Sequence, residues 1–447
     1  MSKFISFTTI ASVFLLTACG GGGGGIKNDE DKVPATYNLN LNAVIQNSCG
    51  VETPYSKVKV FLQDQNWAVI SEHQANAEGL VTLTSSTDKV NYTVLAEYKG
   101  ANNIDSYQLM SYYQVDANAS AKYYATNSDA LDESSCECVT QDVLLSHVPI
   151  ADYTNVISSA NFSEFEVSED GTETTFKEVE SCRAKGNEWT EHSFAIYNEE
   201  QGYAGFFQEF DNTDSGIWEV YITGEGYAVS ISRKDYAFTA GQIFDGQRHF
   251  SKDIEELART AMVFDNHATT GRTTYTAKAN YIFKEESSPF GSVTLKSQEN
   301  RYSDDYNDSL KVAPSKDDEN IDYITWSEIE ADGSYDYSKV SRHQMAIVSY
   351  IYDSKDPNTQ LDMPVLWSAY GPIEGQLPMN TLLPGFENII NDDVKIDKTE
   401  VKLLKHIEFS DYQDYINYYA NIGHISVDEQ LDKTQAGVHQ YIIGLEK

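Results

Sequence analysis

The chain has 447 residues and a formal net charge of −37, because 69 acidic residues outnumber 32 basic ones. This excess of negative charge argues against nucleic acid and anionic lipid headgroups as partners, since both are bound through clustered positive charge. Thirty tyrosines, 19 phenylalanines and five tryptophans against 10 prolines exclude a disordered chain and favour β-rich packing, because aromatic side chains suit half-buried strands.

The first residues have the pattern of an export signal. A single positive charge at Lys3 precedes an apolar stretch over residues 4–16, which is shorter than the roughly 20 residues needed to span a bilayer. The tetrapeptide LTAC then ends at Cys19. This tetrapeptide resembles the lipobox of bacterial lipoproteins. The resemblance implies that residues 1–18 are a signal peptide and that the Cys19 sulfur receives a diacylglycerol.

The lipoprotein resemblance also implies a location. In that family the cysteine becomes the first mature residue and carries three acyl chains, which exceeds the two hydrophobic signals needed for stable anchoring. Gly20 stands where many inner-membrane lipoproteins have aspartate, so the resemblance implies a lipid anchor in the outer membrane. Residues 19–35 are then a lipidated, Gly-rich tether with the flexibility of a coil. A secretory signal with a chance cysteine is the alternative, and the side of the membrane that the protein faces stays open.

Four cysteines remain after Cys19, namely Cys49, Cys136, Cys138 and Cys182. An even number in an exported chain predicts two disulfides, because the compartment is oxidising. A bond between Cys136 and Cys138 would close a strained ring, so each is expected to reach Cys49 or Cys182, with the pairing left open. Metal binding by these thiols is the alternative, but the two-residue gap that is usual between zinc ligands is missing.

Residues 36–148 are predicted to form a β-sandwich. Short alternating runs, among them YNLNLNAVI, SKVKVFLQ, GLVTLTS and NYTVLAEY, are separated by Asn, Gly, Asp and Ser, as in antiparallel sandwiches. Their order, with a turn at Glu78-Gly79 before an alternating strand, resembles the transthyretin-like fold of carboxypeptidase-regulatory and related Ig-like modules. The resemblance implies a non-catalytic sandwich at the membrane-proximal end, and another kind of small sandwich is the alternative.

Two further β-rich domains are predicted, over residues 149–314 and 315–447, with the boundary in the charged stretch SKDDENID. Their strand-like runs follow one another at short spacing, which is typical of a meander that closes into a sandwich or barrel. The predicted fold class is therefore mainly β, with two or three antiparallel β-sandwich or meander domains in tandem and a few short helices.

Two segments have helical spacing. The apolar residues of DIEELARTAMVF, Asp253–Phe264, fall on one face of a helix. A last helix is predicted over Ser410–Ile422, because Ser410 and Gln413 form a capping box. Its tyrosine stripe is expected to pack against a sheet rather than to bind a ligand.

No local motif predicts catalysis. The nine histidines form no His-Glu-x-x-His or His-x-His arrangement, and the chain has no Gly-x-Ser-x-Gly elbow, phosphate-binding loop or dinucleotide fingerprint. We therefore predict no catalytic residue, no metal site and no cofactor. Calcium is the alternative, because acidic turns at residues 211–216, 303–308 and 330–336 carry oxygen donors, although none completes an EF-hand loop.

Tryptophans are the candidates for a carbohydrate platform. Trp67 follows Asn66 at a predicted turn and is expected to be exposed. The other four are expected in the core, since burial is the ordinary state of a tryptophan in or beside a strand; they are Trp189, Trp218, Trp326 and Trp367.

These features favour a non-enzymatic binding or structural role for a lipid-anchored envelope protein at the outer membrane, with an unidentified protein or carbohydrate ligand. An anchored hydrolase acting on polysaccharide or peptide is one alternative, with a site assembled from residues that no local motif reveals. A surface receptor or adhesin-like lipoprotein is another, because Gly-rich tethers also occur in lipoproteins displayed on the cell surface.

Overall fold

The structure is a computed structural model, and the residues it describes are 36–99, 105–149, 153, 155–198, 201–210, 217–230, 237–244, 247–254, 260–264, 273–288, 291–303, 332–338, 343–378, 383–391, 393–406, 408–421 and 438–446. Strands dominate these residues, which confirms the mainly β fold class. In this part of the chain the helices are too short and too polar to cross a bilayer.

Eight strands build a sandwich at the start of the described chain. They are β1 (Tyr37–Gln46), β2 (Glu52–Pro54), β3 (Val58–Gln63), β4 (Val69–Gln74), β5 (Leu80–Ser85), β6 (Lys89–Lys99), β7 (Asp105–Asp116) and β8 (Ser120–Ala125). Strand β1 pairs with β2 and β5 in antiparallel fashion and with β8 in parallel, which makes a small sheet. Alternate residues of β1, such as Leu39 and Leu41, point into a core shared with Val60 and Val94 of the opposite sheet. Single 3-10 turns follow at Ser128–Ala130 and Glu133–Ser135.

The described residues in the middle of the chain include thirteen strands. They are β9 (Cys136–Ser146), β10 (Asn155–Ser158), β11 (Phe165–Val167), β12 (Thr174–Ala184), β13 (His192–Tyr197), β14 (Gly202–Phe207), β15 (Ile217–Tyr221), β16 (Gly224–Ser230), β17 (Ala237–Phe244), β18 (Gln247–Ile254), β19 (Thr260–Phe264), β20 (Thr273–Ser288) and β21 (Gly291–Ser303). One sheet has the order β11-β12-β9-β15 and another has the order β10-β13-β14-β16-β19. An aromatic core lies between them and includes Phe176, Phe194, Phe210 and Trp218.

The last part of the chain adds β22 (Ser334–Asp336), β23 (Met345–Tyr352), β24 (Val365–Pro372), β25 (Glu374–Gln376), β26 (Ile396–His406), α1 (Tyr412–Asn421) and β27 (Val438–Glu446). The largest sheet has twelve strands in the order β18-β17-β20-β21-β27-β26-β23-β24-β7-β6-β3-β4. Strands β24 and β7 meet in parallel, with Trp367 opposite Leu109. This sheet therefore contains strands from all three of the predicted domains, whose boundaries stay predictions.

The helix predicted over Asp253–Phe264 is wrong at both of its described ends. Asp253 and Ile254 belong to β18, which pairs with β17. Thr260–Phe264 forms β19, which pairs with β16. Helical spacing in so short a segment stabilises little by itself, and strand pairing with distant residues prevails. The intervening residues lie outside the described chain.

The C-terminal helix is confirmed as α1, with a different cap. The Asp411 carboxylate accepts the N–H of Asp414 at 3.0 Å, and the Asp414 carboxylate accepts the N–H of Ser410 at 3.0 Å. Gln413 instead reaches away from the helix, since its amide donates to the Gln114 carbonyl at 2.8 Å. As expected, the helix packs on the sandwich core with its apolar face, through the buried residues Tyr412, Tyr415 and Ile416.

Candidate functional site

The LTAC tetrapeptide, Cys19 and the Gly-rich segment lie outside the described residues. The described chain begins one residue after the predicted tether, and β1 starts at Tyr37. The predicted tether therefore leads into the first strand of the small sheet.

Two disulfides are present, as predicted, and the structure resolves their pairing. Cys49 bonds to Cys136, with 5.7 Å between the Cα atoms, and Cys138 bonds to Cys182, with 4.1 Å. Cys138 and Cys182 are direct register partners on β9 and β12. Their separation is close to that of a non-hydrogen-bonded antiparallel pair, which suits a cross-strand disulfide.

Each disulfide lies beside one carboxylate, Glu133 at Cys49–Cys136 and Glu180 at Cys138–Cys182. Their ligand atoms are close enough together to surround a metal ion. A sulfur in a disulfide is not a thiolate, however, and thiolates are the form of cysteine that binds metals. In the oxidised protein these clusters are therefore structural.

Side-chain hydrogen bonds reinforce the first disulfide. The Asn47 amide donates to the Asp132 carbonyl and to the Ser135 hydroxyl, both at 2.9 Å. The Ser48 hydroxyl donates to the Glu133 carboxylate at 2.6 Å. The turn after β1 is thereby fastened to the segment that leads into β9.

The outer face of the small sheet is a flat polar surface. Thr82 donates to Asn40 at 2.9 Å and Thr84 donates to Asn38 at 3.1 Å, so hydroxyl and amide groups alternate across β1 and β5. All four side chains are exposed, and we call this group, Asn38, Asn40, Thr82 and Thr84, the Asn/Thr face. Tyr124 of β8 is exposed on the same side of the sheet. This arrangement can form hydrogen bonds and ring contacts with a flat ligand.

A second polar arrangement in the middle region links β12, β13 and the residue that follows β10. The backbone N–H of Ser193 donates to the Ser159 hydroxyl oxygen at 3.0 Å, and the same hydroxyl lies within hydrogen-bond distance of His192 Nδ1, at 3.2 Å. His192 Nε2 lies 3.1 Å from the hydroxyl of Ser181, which is buried. A serine beside an imidazole that a third group orients is the arrangement of a nucleophile and its base. These residues are far apart in sequence, and no local motif could have found them.

The expectation that Trp67 is exposed is wrong. Its side chain is 1% exposed, and its indole N–H donates to the Gln376 carbonyl at 2.9 Å. The turn was correctly placed, but the backbone of Trp67 has φ 67°, which directs the ring into the protein. Trp189, Trp218 and Trp367 are buried as expected, and Trp326 lies outside the described residues.

One aromatic depression lies on the large sheet. It is lined by Tyr350, Tyr352, Trp367, Ala369 and Pro378 and encloses no space for a water molecule. Each of its three rings is less than a tenth exposed, so the depression offers little surface to a ligand. Trp367 is also fixed from behind, because its indole N–H donates to the Ser111 hydroxyl at 2.8 Å.

Of the three acidic turns, the last is the one whose described residues include an acidic side chain. The Asp332 carboxylate accepts the N–H of Ser334 at 2.9 Å and its hydroxyl at 2.7 Å, and these bonds hold the pKa of Asp332 below its ordinary value. Asp332 thus caps the turn into β22. The turn at residues 211–216 and most of the turn at 303–308 lie outside the described chain, so the alternative of calcium binding stays untested.

No protein-family model matches the chain, and no curated protein matches it. Among solved structures, two B repeat units of the collagen binding protein of Staphylococcus aureus align with 76% of this chain and 100% of their own, at 10% identity and a TM-score of 0.13. A C-terminal fragment of the pilus adhesin SpaC from Lactobacillus rhamnosus GG aligns with 78% of this chain and 100% of its own, at 9% identity and a TM-score of 0.10. Likenesses this distant support no statement about function.

Proposed function

We propose that this chain is a lipid-anchored protein of the outer membrane with a non-enzymatic binding or structural role. The observation that carries the proposal is the order of three features: the LTAC tetrapeptide ending at Cys19, the Gly-rich segment, and a β-rich body that starts at Thr36. An acylated Cys19 fixes the chain to a bilayer, because more than one acyl chain gives stable attachment. The tether over residues 19–35, fully extended, reaches roughly 60 Å from the membrane.

The Asn/Thr face is the surface that we propose for binding. Its alternating amides and hydroxyls donate and accept hydrogen bonds without a net charge, which suits the hydroxyl groups of a carbohydrate or the backbone of a protein. Beside it the Tyr124 hydroxyl donates to the Glu52 carboxylate at 3.0 Å, and the Lys122 ammonium lies 5.1 Å from the Tyr124 ring centre. These two contacts fix the ring in place, so its exposed part is preorganised for contact with a ligand.

Replacement of Cys19 tests the anchor. A Cys19→Ala chain should take up no fatty-acid probe in cells and should leave the membrane fraction, whereas a Gly20→Ser chain, which retains the LTAC tetrapeptide, should behave as wild type. Labelling of the Cys19→Ala chain, or its firm attachment to membranes, would remove the proposal.

Binding is tested separately on glycan arrays and on immobilised envelope proteins. Alanine replacement of the Asn/Thr face should abolish any retained ligand, because each lost hydrogen bond contributes about 1 kcal/mol. Thr140, an exposed threonine on β9, provides the control variant Thr140→Ala. Equal binding by the two variants would mean that the ligand contacts another surface.

An anchored hydrolase is the second candidate, because Ser159, His192 and Ser181 have the hydrogen-bond order of a nucleophile, its base and an orienting group. A fluorophosphonate probe should label Ser159 if His192 activates it, and Ser159→Ala should remove the label. Ser163→Ala, which changes an exposed serine nearby, serves as the control. A wild-type chain that takes up no probe would end the hydrolase hypothesis.

The surface-receptor alternative depends on which side of the membrane the body faces. Protease added to intact cells should digest a chain displayed outside and spare one that faces the periplasm. Complete protection of the chain in intact cells, with digestion after lysis, would remove the receptor and adhesin alternatives.

A further inference from the structure

The two disulfides close two successive loops of the chain. Cys49 and Cys136 are 87 residues apart, and Cys138 and Cys182 are 44 residues apart. Only Glu137 separates the end of the first loop from the start of the second. A continuous covalent route therefore runs from Cys49 to Cys182 without passing through either loop.

We propose that this route is a tension path: it carries pulling force from the N-terminal tether past both loops, so that force cannot extend either of them. The inference rests on the proposed lipid anchor only for the origin of the force. The path itself follows from the pairing of the cysteines.

The first loop contains most of the first sandwich, and the second loop contains part of the middle region. The first loop includes β2 to β8, which is every strand of the first sandwich except β1. The second loop includes β10, β11 and nearly all of β9 and β12. Pulling on the chain ends can break hydrogen bonds inside the two loops, but it cannot draw the residues of either loop out into an extended chain while the disulfides are closed.

Strand β1 lies before Cys49 and is therefore on the tension path. It is already extended, at about 3.3 Å per residue, so force can draw little further length from it. It also pairs along Asn40–Ile45 with β8 in parallel, and along Tyr37–Asn42 with β5. The strand that connects the tether to the first sandwich therefore lengthens very little under force.

Both ends of the path are fastened to the surrounding structure. At Cys49, Asn47 and Ser48 hold the turn against the segment before Cys136, as described above. At Cys182, the neighbouring Arg183 pairs with Glu137 at 3.0 Å and lies over the Trp189 ring, 4.1 Å from its centre. Since Glu137 is the residue between the two disulfides, this ion pair also holds the two bridges in one orientation.

The path predicts how much length is withheld from a stretched chain. At roughly 3.5 Å per residue, opening of the first loop of 87 residues releases about 300 Å, and opening of the second loop of 44 residues releases about 150 Å. Separation of β7 from β24 under force releases no length from the first loop, because the disulfide keeps that loop closed.

The test is single-molecule pulling of the mature chain between handles at its two ends. The chain carries Cys19→Ala, so that lipidation has no influence on the result, and a failure here is distinct from a failure of the proposed anchor. With all other cysteines in place, which we call wild type here, the chain held at constant force should show neither the step of about 300 Å nor that of about 150 Å. Addition of a reductant under the same force should lengthen it in steps of about 300 and 150 Å.

Two variants assign the steps. Without reductant, the double variant Cys49→Ser, Cys136→Ser should show the step of about 300 Å and not that of about 150 Å. The double variant Cys138→Ser, Cys182→Ser should show the step of about 150 Å and not that of about 300 Å. Wild type reduced under force supplies the same readout if a variant does not fold. The proposal is overturned if oxidised wild type shows the longer step, or if the reduced chain at the same force does not lengthen.

Discussion

A chain of buried hydrogen bonds couples the first sandwich to the C-terminal strands, and it yields a sharp prediction. Thr93 donates to the Gln63 side chain at 2.7 Å and lies 2.7 Å from the Ser111 hydroxyl, which in turn accepts the indole N–H of Trp367 at 2.8 Å. Ser111 and Thr93 are 0% exposed. The serine on β7 therefore supplies the acceptor for a tryptophan on β24, across the parallel junction.

The perturbation is Ser111→Ala. It leaves the indole N–H of Trp367 buried without this acceptor, and an unsatisfied buried donor costs about 1 to 3 kcal/mol. Thr93 loses one partner but retains Gln63, so we expect a loss of about 2 kcal/mol in the free energy of unfolding. Ser349→Ala is the control, because Ser349 bonds only partly buried Ser368 at 2.9 Å in the same large sheet; its expected cost is about 0.5 to 1 kcal/mol.

Urea unfolding followed by tryptophan fluorescence measures both values under non-reducing conditions. In a Trp367→Phe background the indole donor is gone, so Ser111→Ala should cost about 1 to 2 kcal/mol less than in wild type. The reasoning is refuted if Ser111→Ala costs no more than Ser349→Ala, or if the effects of Ser111→Ala and Trp367→Phe are additive.

Three further predictions concern a turn, a tyrosine and a disulfide. Gly79 has φ +73° and an added Cβ would lie 2.2 Å from a backbone oxygen, so Gly79→Ala should lower the free energy of unfolding by about 2 to 3 kcal/mol in thermal melts. Gly186 also has a positive φ, but nothing lies within 4 Å of an added Cβ, so Gly186→Ala should lower it by about 1 kcal/mol in the same melts. Burial raises the pKa of Tyr352 to about 12. The unfolded chain therefore loses the phenol proton at lower pH than the folded chain, and the free energy of unfolding should fall between pH 10 and 12. Tyr352→Phe should reduce that fall by about 2 to 3 kcal/mol in denaturant titrations, and an unchanged fall would contradict the prediction. Loss of Cys49–Cys136 through paired serine variants should lower the unfolding free energy by about 4 to 5 kcal/mol, since the loop of 87 residues regains its freedom; a denaturation midpoint equal to that of wild type would show that the bridge does not constrain the unfolded chain.

Local pattern was enough to predict much of the fold. Alternation in β1 and β5 places Leu39, Leu41 and Leu83 inside and polar residues outside, and a pattern of period two has only one such solution. The cysteine count likewise predicted two disulfides. Their pairing could not be predicted, because Cys138 faces Cys182 only after β9 and β12 find their register.

What the sequence did not reveal depends on residues that are distant along the chain. Trp67 is buried because the carbonyl of Gln376 accepts its indole N–H. The contact of Ser159 with His192 likewise forms only when β10 pairs with β13. The proposed anchor is the opposite case, since its prediction depends on the four adjacent residues of LTAC and on no fold.

The parallel junction of β7 with β24 also has a consequence for how the protein folds. The Ser106 hydroxyl on β7 donates to the carbonyl of Pro364, 258 residues later in the sequence. Contacts between residues so distant in sequence form late, because the entropy of closing the intervening chain opposes them. An unpaired strand edge invites association with other chains, so the edge of β7 is a site of aggregation in any folding intermediate in which β24 has not yet paired.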